Sequence, residues 1–274
     1  MFKSLKGSGM RLALAAAVVA LGAGGTVAGV AAASASPRIA APPPVDHQLC
    51  YGASSSGFRI PAGVRLINQF SPNGFVPAIT HKPVLHCNPT VKILPTGQVF
   101  PITHPNAHLV CFPIKPPTPQ PTPLVSVTNQ FGTATLQPQQ PNLLCVPSWK
   151  SLTGPPGMTP KTPPGLNHFT CYPVRVASGQ YTPPPVMLQD EFAPAPVNAQ
   201  VGPVPVELCL PTEKILPTGK VFRIINPTMH LLCFPVSPTP IKSPVFDENQ
   251  FGTRTVTISP TRFLCVPSTK KVIG

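Results

Sequence analysis

Acidic residues are scarce in this sequence. It contains seven Asp and Glu residues against twenty Lys and Arg, and its formal net charge at pH 7 is +13. No carboxylate occurs between His47 and Gln189. Because glycoside hydrolysis and calcium binding both need clustered carboxylates, this absence excludes such sites from the first half of the chain.

Sequence motifs for catalysis are also missing. The chain has no Gly-x-Ser-x-Gly element, phosphate-binding loop, dinucleotide fingerprint or zinc-protease helix. A Ser-His triad in the first half would have to recruit Asp46, the single carboxylate there. We therefore expect the protein not to be an enzyme and to use no cofactor. The acidic residues of the second half replace neutral residues of the first and are interpreted as surface variation: Asp190, Glu191, Glu207, Glu213, Asp247 and Glu248.

Proline-free segments with helical periodicity are lacking beyond the N-terminal part. The chain has 43 Pro and 20 Gly, yet 42% of its residues are hydrophobic and only 10% are charged. Proline disrupts helices, whereas disordered chains are poor in apolar residues and rich in net charge. Short segments of β-branched and aromatic residues, separated by Gly, Pro, Asn and Ser, predict an all-β protein.

The first 35 residues have the layout of a secretory signal peptide. Lys3, Lys6 and Arg11 precede an apolar run over residues 12–33, and the small residues Ala33-Ser34-Ala35 follow. The alternative is a retained membrane anchor, since the run approaches a bilayer-spanning length, but its many Ala and Gly residues make it only mildly apolar. We expect cleavage, no membrane span in the mature chain, and a secreted, periplasmic or cell-surface location.

The rest of the chain is a tandem repeat. Residues 108–113, 129–133 and 144–148 recur almost unchanged at offsets of 120 to 122 residues. Each half also contains a fainter duplication of about 60 residues. All four quarters open with His-x-x-Cys and an aromatic residue, carry an Asn/Asp-Gln/Glu-Phe triplet, and close with Cys-x-Pro-Ser/Thr-x-Lys. We refer to residues 47–92, 108–150, 168–214 and 230–270 as the first to fourth quarters.

This organisation predicts two domains. Residues 46–150 and 167–274 each form one, joined by a semi-rigid Pro/Gly linker over residues 151–166, and residues 36–45 form a Pro-rich leader. We expect each domain to be a disulfide-stapled β-sandwich or partly open barrel of roughly eight short strands, with internal pseudo-twofold duplication.

The eight cysteines predict a disulfide framework, because an even number in an exported chain is typical of one. The simplest pairing joins the two cysteines of each quarter. The alternative joins quarters, for instance Cys50 to Cys145 and Cys87 to Cys111, and four cysteines per half permit three connectivities. The within-quarter pairs are Cys50–Cys87, Cys111–Cys145, Cys171–Cys209 and Cys233–Cys265.

The other recurring residues are given structural roles. The histidine of His-x-x-Cys is expected to pack beside the bridge rather than to bind metal, since zinc motifs place ligands in close pairs. The unrepeated His81, His86 and His104 are interpreted as loop residues. The triplet Phe is predicted to lie in the core, and its Asn or Asp to bond local backbone. The closing lysines are interpreted as solvated residues at strand ends and as candidate surface contacts: Lys92, Lys150, Lys214 and Lys270.

The motifs in combination carry a resemblance. His-x-x-Cys-Tyr/Phe, Asn-Gln-Phe-Gly and Leu-Cys-Val-Pro-Ser-x-Lys resemble an uncharacterised bacterial family of exported proteins, described as a domain of unknown function. The resemblance covers both halves, although Asp190-Glu191-Phe192 departs from the Asn-Gln-Phe pattern. It implies a secreted tandem-repeat protein and no particular activity.

Two functions fit the sequence. The first is a structural or surface-associated β module. The second is an extracellular binding module for anionic envelope polymers or acidic glycans, because the positive charge attracts polyanions in a salt-dependent manner. Nucleic acid is not expected as a partner, since no clustered basic run is interleaved with aromatic residues.

Overall fold

The described part of the chain consists of β-strands and loops. The computed structural model describes residues 45–241 and 243–273, and in them it contains nineteen strands and no helix. The all-β prediction is confirmed. The predicted signal peptide, and all of the predicted leader but Val45, lie outside the described residues. The strands are β1 (Gln48–Ser54), β2 (Arg65–Asn68), β3 (Ser71–Phe75), β4 (Ala78–Ile79), β5 (Leu85–Pro89), β6 (Val91–Ile93), β7 (Val99–Phe100), β8 (His108–Lys115), β9 (Val125–Asn129), β10 (Gly132–Pro138), β11 (Leu143–Ser151), β12 (His168–Tyr181), β13 (Val186–Gln189), β14 (Val197–Ala199), β15 (Glu207–Ile215), β16 (Val221–Phe222), β17 (His230–Pro235), β18 (Ser243–Asn249) and β19 (Gly252–Val272).

Eight of these strands pair in a cyclic order that we call the central ring. Each pairs antiparallel with the next, in the order β1, β5, β8, β11, β12, β15, β17 and β19, and β19 pairs again with β1. Each quarter contributes two neighbours, its opening strand with His-x-x-Cys and its closing strand with Cys-x-Pro. The pairing path therefore follows the chain order of the quarters and closes on itself.

The middle of each quarter forms a hairpin with the triplet at its turn. These hairpins are β2–β3, β9–β10, β13–β14 and the pair of β18 with the start of β19. Each hairpin pairs with the strand region that ends the quarter two places away: β2 with β15, β9 with β19, β13 with β6 and β18 with β11. The two halves thus exchange hairpins.

The expected separation into domains 46–150 and 167–274 is not confirmed. All described residues belong to one compact unit, and both halves contribute strands to the one ring rather than each building a sandwich or barrel of its own. The physical reason is that a half alone would leave unpaired strand edges at β1 and β11, and the other half satisfies them. The predicted linker also makes contacts, since the backbone N–H of Met158 donates to Glu248 at 2.9 Å.

Alternation along the ring strands separates two apolar clusters. One cluster combines the eight cysteines, one from each ring strand, with leucines and phenylalanines such as Leu109 and Phe169. Because these side chains from all eight strands meet one another, they occupy the interior of the ring. The other cluster lies between the ring and the hairpins and contains the aromatic residues that follow the first cysteines, together with buried aliphatic residues.

Candidate functional site

Four disulfides fill the interior of the central ring. The structure pairs Cys50 with Cys87, Cys111 with Cys145, Cys171 with Cys209 and Cys233 with Cys265. This is the within-quarter pairing, and it follows from the ring, because the two cysteines of a quarter lie opposite each other on neighbouring strands.

The bridges also contact each other across quarter boundaries. The sulfur atoms of Cys50 and Cys265 are 3.7 Å apart, and so are those of Cys145 and Cys171. The residues around them leave a cavity of about 20 Å³, far below the roughly 300 Å³ at which ligand pockets begin. The ring interior is therefore a cross-linked core without room for a ligand.

The repeated aromatic residues join the two halves. The aromatic residue after each first cysteine makes an edge-to-face contact with the triplet Phe two quarters away, at centroid distances of 5.1 to 5.9 Å. Such pairs add to the stabilisation from burial. The core role predicted for the triplet Phe is confirmed for Phe70, Phe131 and Phe251, while Phe192 is half-buried. The four pairs are Tyr51–Phe192, Phe70–Tyr172, Phe112–Phe251 and Phe131–Phe234.

The triplet Asn or Asp caps its own turn, as predicted. In each quarter its Oδ1 accepts a hydrogen bond from the backbone N–H of the triplet Phe, at 2.8 to 3.0 Å. Its second polar atom reaches the quarter two places away. Asn249 donates to Ser148, and Asp190 accepts from Tyr51. One side chain thus orders a turn and ties the halves together.

The closing lysines are not solvated surface residues, and this correction applies to all four. Lys92 and Lys214 are fully buried, the Lys150 side chain has no exposed surface, and Lys270 is half-buried. Each ammonium nitrogen lies 4.3 to 5.1 Å from the triplet Phe ring of the next quarter, which is cation–π geometry. Burial lowers the pKa of both Lys92 and Lys150 to about 7.

Two of these lysines have a second aromatic neighbour that sequence reasoning missed. The turns Pro95-Thr96-Gly97 and Pro217-Thr218-Gly219, with positive φ at each Gly, reverse the chain after Lys92 and Lys214. Phe100 and Phe222 consequently return opposite these lysines, 4.1 and 4.3 Å from their nitrogens. The signal was present in the sequence, because Lys-Ile-Leu-Pro-Thr-Gly-x-Val-Phe occurs twice.

The opening histidines are buried beside these lysines. Burial first, and the positive charge of the lysine of the same quarter second, lower the pKa of His47 to about 3 and that of His230 to about 4. The same two causes hold the pKa values of His108 and His168 well below the ordinary value. These side chains are therefore neutral at pH 7.

The fourfold sequence pattern has departures that come together in one region of the structure. We call this region the polar cluster. Where three closing segments read Leu-Cys-Val or Leu-Cys-Leu, the first reads His86-Cys87-Asn88, and the third triplet has Asp190-Glu191 instead of Asn-Gln. These departures are about 100 residues apart in sequence and meet around Lys150 in space. The polar cluster consists of Tyr51, His86, Asn88, His108, Lys150, Asp190, Glu191 and Asp247.

Asn88 is the centre of the polar cluster. Its Oδ1 accepts from Lys150 Nζ at 2.9 Å, and His86 Nε2 and His108 Nδ1 lie 2.8 and 3.1 Å from the same oxygen. Its Nδ2 donates to Asp190 Oδ2 at 2.9 Å. The amide oxygen thus faces the amine of Lys150, and the amide nitrogen faces the carboxyl group of Asp190. Asn88 is fully buried.

Carboxylates complete the polar cluster. Asp247 Oδ2 lies 2.9 Å from His86 Nδ1, and both side chains are fully buried. Lys150 contacts the carboxylate of Glu191, which is 39% exposed and is the open side of the cluster. Desolvation, and then the charge of Asp190, raise the pKa of the Tyr51 hydroxyl, which donates to Asp190 at 2.8 Å.

Two sequence interpretations are therefore wrong. His86 is not a loop residue but lies buried on β5. The acidic residues of the second half are not surface variation, because Asp190, Asp247 and Glu248 are buried and Glu207 is half-buried. Burial raises the pKa of Glu207 to about 7. The departures from the repeat were the signal available in the sequence, because they fall at positions that meet in the structure.

His86 is engaged by other members of the cluster. Both nitrogens of His86 are bonded, one to Asp247 and one to Asn88, so the histidine is not free to activate a hydroxyl. Over the ranges that the structure describes, no group of three His, Cys, Asp or Glu side chains is placed to hold a metal ion. Nor does any helix in that part of the chain have the length and apolarity needed to cross a membrane.

Fold and site together define an all-β, disulfide-cross-linked repeat protein. The chain belongs to the family described as a repeat of unknown function, DUF7450, whose family model matches residues 108–267, more than half of the chain. No curated protein and no solved structure matches it. The expectation of an uncharacterised domain family is confirmed at that level, and the four disulfides are compatible with an extracytoplasmic location.

Proposed function

We propose that the chain is a structural module that acts outside the cytoplasm as a rigid, covalently locked body. The observation that carries this proposal is the placement of one disulfide per quarter inside the closed ring. The bridges constrain every pair of neighbouring ring strands within a quarter, and the ring joins the quarters. Such a body resists unfolding and proteolysis where the environment is oxidising.

The reactive side chains support the same role. The repeated His and Lys residues are candidates for chemistry in a sequence. Here the lysines lie against aromatic rings of neighbouring quarters, and the histidines are buried. They are neutral or cation–π bonded members of the core rather than groups presented to a substrate.

The test is to map the disulfides of protein recovered from its natural location and to measure its stability. We expect no free thiol, and we expect that replacing Cys111 and Cys145 together by Ala lowers the free energy of unfolding by about 2 to 5 kcal/mol. Non-reduced protein should also survive protease longer than reduced protein. Recovery of a folded protein with eight free thiols would overturn the proposal.

A second candidate function is binding of anionic envelope polymers or acidic glycans. It is favoured by an inside–outside separation of charge: of the seven carboxylates only Glu191 is exposed, and it contacts Lys150. Most basic residues outside the repeat lysines face solvent. The exposed ones are Arg59, Arg65, Lys82, Lys115, Lys161, Arg175, Lys220, Arg223, Arg262 and Lys271. A surface with cations and almost no anions attracts polyanions.

Retention on immobilised anionic polymer across a salt series tests this candidate. We expect retention at low salt that is lost as ionic strength rises, and weaker retention for the double variant Lys82→Gln/Lys115→Gln. The matched control is Lys214→Met, which removes a buried amine and should leave retention unchanged. Absence of retention at low salt, or equal effects of the two variants, would argue against a surface-charge mechanism.

A further inference from the structure

The polar cluster places an amine against a carboxamide in the protein interior. Lys150 Nζ lies 2.9 Å from Asn88 Oδ1, between residues on β11 and β5 that are 62 positions apart. The ring of Phe192 covers the amine at 4.3 Å. Two side chains whose condensation would yield an amide are therefore held in contact in a site with little water.

The amide nitrogen of Asn88 is bonded to an acid. Asn88 Nδ2 donates to Asp190 Oδ2 at 2.9 Å, and Tyr51 donates to the same oxygen at 2.8 Å. Asp190 therefore orients the amide nitrogen, which is the group that leaves. A second carboxyl group, that of Glu191, contacts the amine and can accept its proton.

The carbonyl oxygen of Asn88 has more donors than it can use. It has two lone pairs, while His86, His108 and Lys150 all lie within 3.1 Å. With a proton on each nitrogen that faces Asn88, which for His86 requires the doubly protonated ring because its other nitrogen faces Asp247, the two imidazole groups suffice for the oxygen. They would then stabilise the negative charge that it gains when the carbon is attacked. The lysine nitrogen is then free to direct its lone pair at the carbon.

The amine is also reactive in this environment. A lysine attacks a carbonyl group only in its neutral form, and desolvation produces that form near neutral pH. Burial lowers the pKa of Lys150 to about 7, against the opposing charges of Asp190 and Asp247. A substantial fraction of the amine is thus unprotonated at pH 7.

We propose that Lys150 and Asn88 form an intramolecular isopeptide bond, catalysed by the surrounding side chains of the same chain. The Lys150 Nζ–Asn88 Cγ bond forms and the Asn88 Cγ–Nδ2 bond breaks. One proton of the amine passes to the Glu191 carboxylate and is returned by it to Nδ2, which leaves as one molecule of ammonia, while Asp190 holds Nδ2 in place. Glu191 ends the reaction as the carboxylate that it was at the start. No oxidant or cofactor takes part.

The other quarters serve as internal controls. The residues that correspond to Asn88 are Val146, Leu210 and Val266, which have no electrophilic side chain. Lys92 and Lys214 have no hydrogen-bond partner for Nζ among the residues that the structure describes. Lys270 does contact a carboxamide, that of Gln69, but the Gln69 side chain is exposed rather than enclosed in the interior. The proposed reaction is therefore assigned to Lys150.

The test is mass spectrometry of the exported protein after complete reduction and alkylation. We expect a mass lower than that of the mature sequence by one ammonia, and a branched peptide that joins the segments around Asn88 and Lys150. The branched peptide is the deciding result, because succinimide formation at Asn73-Gly74 would release ammonia as well. The disulfide proposal is assessed separately, since reduction removes every bridge before the measurement.

Variants identify the reacting groups. Lys150→Met and Asn88→Val should each abolish the mass loss, Asn88→Asp should reach the same product mass by losing water, and Asp190→Asn should slow the reaction. Lys92→Met should keep the full mass loss. Finding unmodified Asn88 and Lys150 peptides in folded wild-type protein with four disulfides would overturn the proposal, whatever the variants do.

Discussion

At the scale of single residues, lysines at equivalent positions of the repeat differ in the free-energy cost of their burial. Lys214 is buried over Phe222 and Phe251 with no hydrogen-bond partner for its Nζ among the described residues. Lys150 occupies the same place in the repeat but bonds Asn88 and Glu191. A buried amine without a hydrogen-bond partner lowers the free energy of unfolding, whereas a hydrogen-bonded one lowers it far less. The same substitution at these two positions should therefore change the stability in opposite directions.

The first prediction concerns Lys214→Met and Lys150→Met. Methionine has a similar length and makes favourable contacts with aromatic rings. We expect Lys214→Met to raise the free energy of unfolding at pH 7 by about 1 to 3 kcal/mol, because an unsatisfied polar group is removed. Lys150→Met should lower it by about 3 to 5 kcal/mol, because the buried Asp190 and Asp247 lose the nearby positive charge and Asn88 loses a donor. Urea unfolding measures both, and effects of equal sign would refute the distinction.

The second prediction concerns pH and Lys92. Its pKa is about 7 in the folded protein, against 10.5 for a solvated lysine, so between these values the unfolded chain binds a proton that the folded chain does not. Stability should therefore rise with pH across that window, by up to about 1.4 kcal/mol per pH unit from this residue. We expect Lys92→Met to flatten the rise in urea midpoint from pH 7 to 10. The exposed control Lys82→Met should keep the wild-type slope.

At the scale of elements, the hairpins depend on their capped turns and on the strands of the opposite half. Asn249 ends β18 and is fully buried. It accepts from the Phe251 N–H at 2.8 Å and donates to Ser148 at 3.1 Å. The turn, the hairpin and the contact with β11 thus share one side chain. Each hairpin is therefore ordered by local and cross-half bonds together.

The third prediction is the effect of Asn249→Ala. The loss of both hydrogen bonds leaves the Phe251 N–H and the Ser148 hydroxyl without this partner, so we expect stability to fall by about 2 to 3 kcal/mol. Asn198→Ala, on the exposed side of another hairpin, should change stability by less than about 0.5 kcal/mol. Denaturant unfolding measures both. Similar losses for the two variants would show that the cap has no special role.

At the scale of the whole molecule, the ring and the exchanged hairpins make the two halves one folding unit. Pairings β11–β12 and β19–β1 close the ring between the halves. All four aromatic pairs and all four hairpin pairings also cross between halves. A half separated from its partner would expose these edges and apolar faces to water.

The fourth prediction is that residues 46–150 and 167–274 do not fold alone as monomers. Because a half carries the pseudo-symmetric counterpart of what it lacks, we expect it to be unfolded, to aggregate, or to form a dimer that replaces the missing half. Mixing the two halves should restore β-sheet circular dichroism in a one-to-one complex. A monomeric half with cooperative unfolding would support two independent domains instead.

Sequence reasoning predicted what depends on local chemistry and on the repeat. The strand content, the core Phe of three triplets, the capping Asn and the disulfide framework all follow from short motifs whose physics is local. It failed for Lys92 and Lys214, because lysines are usually exposed and the aromatic rings that bury them come from distant segments. It failed for His86 because one histidine outside the repeat has no local signature.

The amino-acid sequence thus specified the secondary-structure class, the fourfold repeat and the residues available for cross-linking, since these depend on spacing and residue type. Tertiary structure alone decided that quarters pair in a ring, that halves exchange hairpins, and that His86, Asn88, Asp190 and Asp247 meet Lys150. The reason is that a strand can pair antiparallel with any other strand whose side chains permit a register. Which strands far apart in sequence become partners is therefore decided only when the whole ring closes.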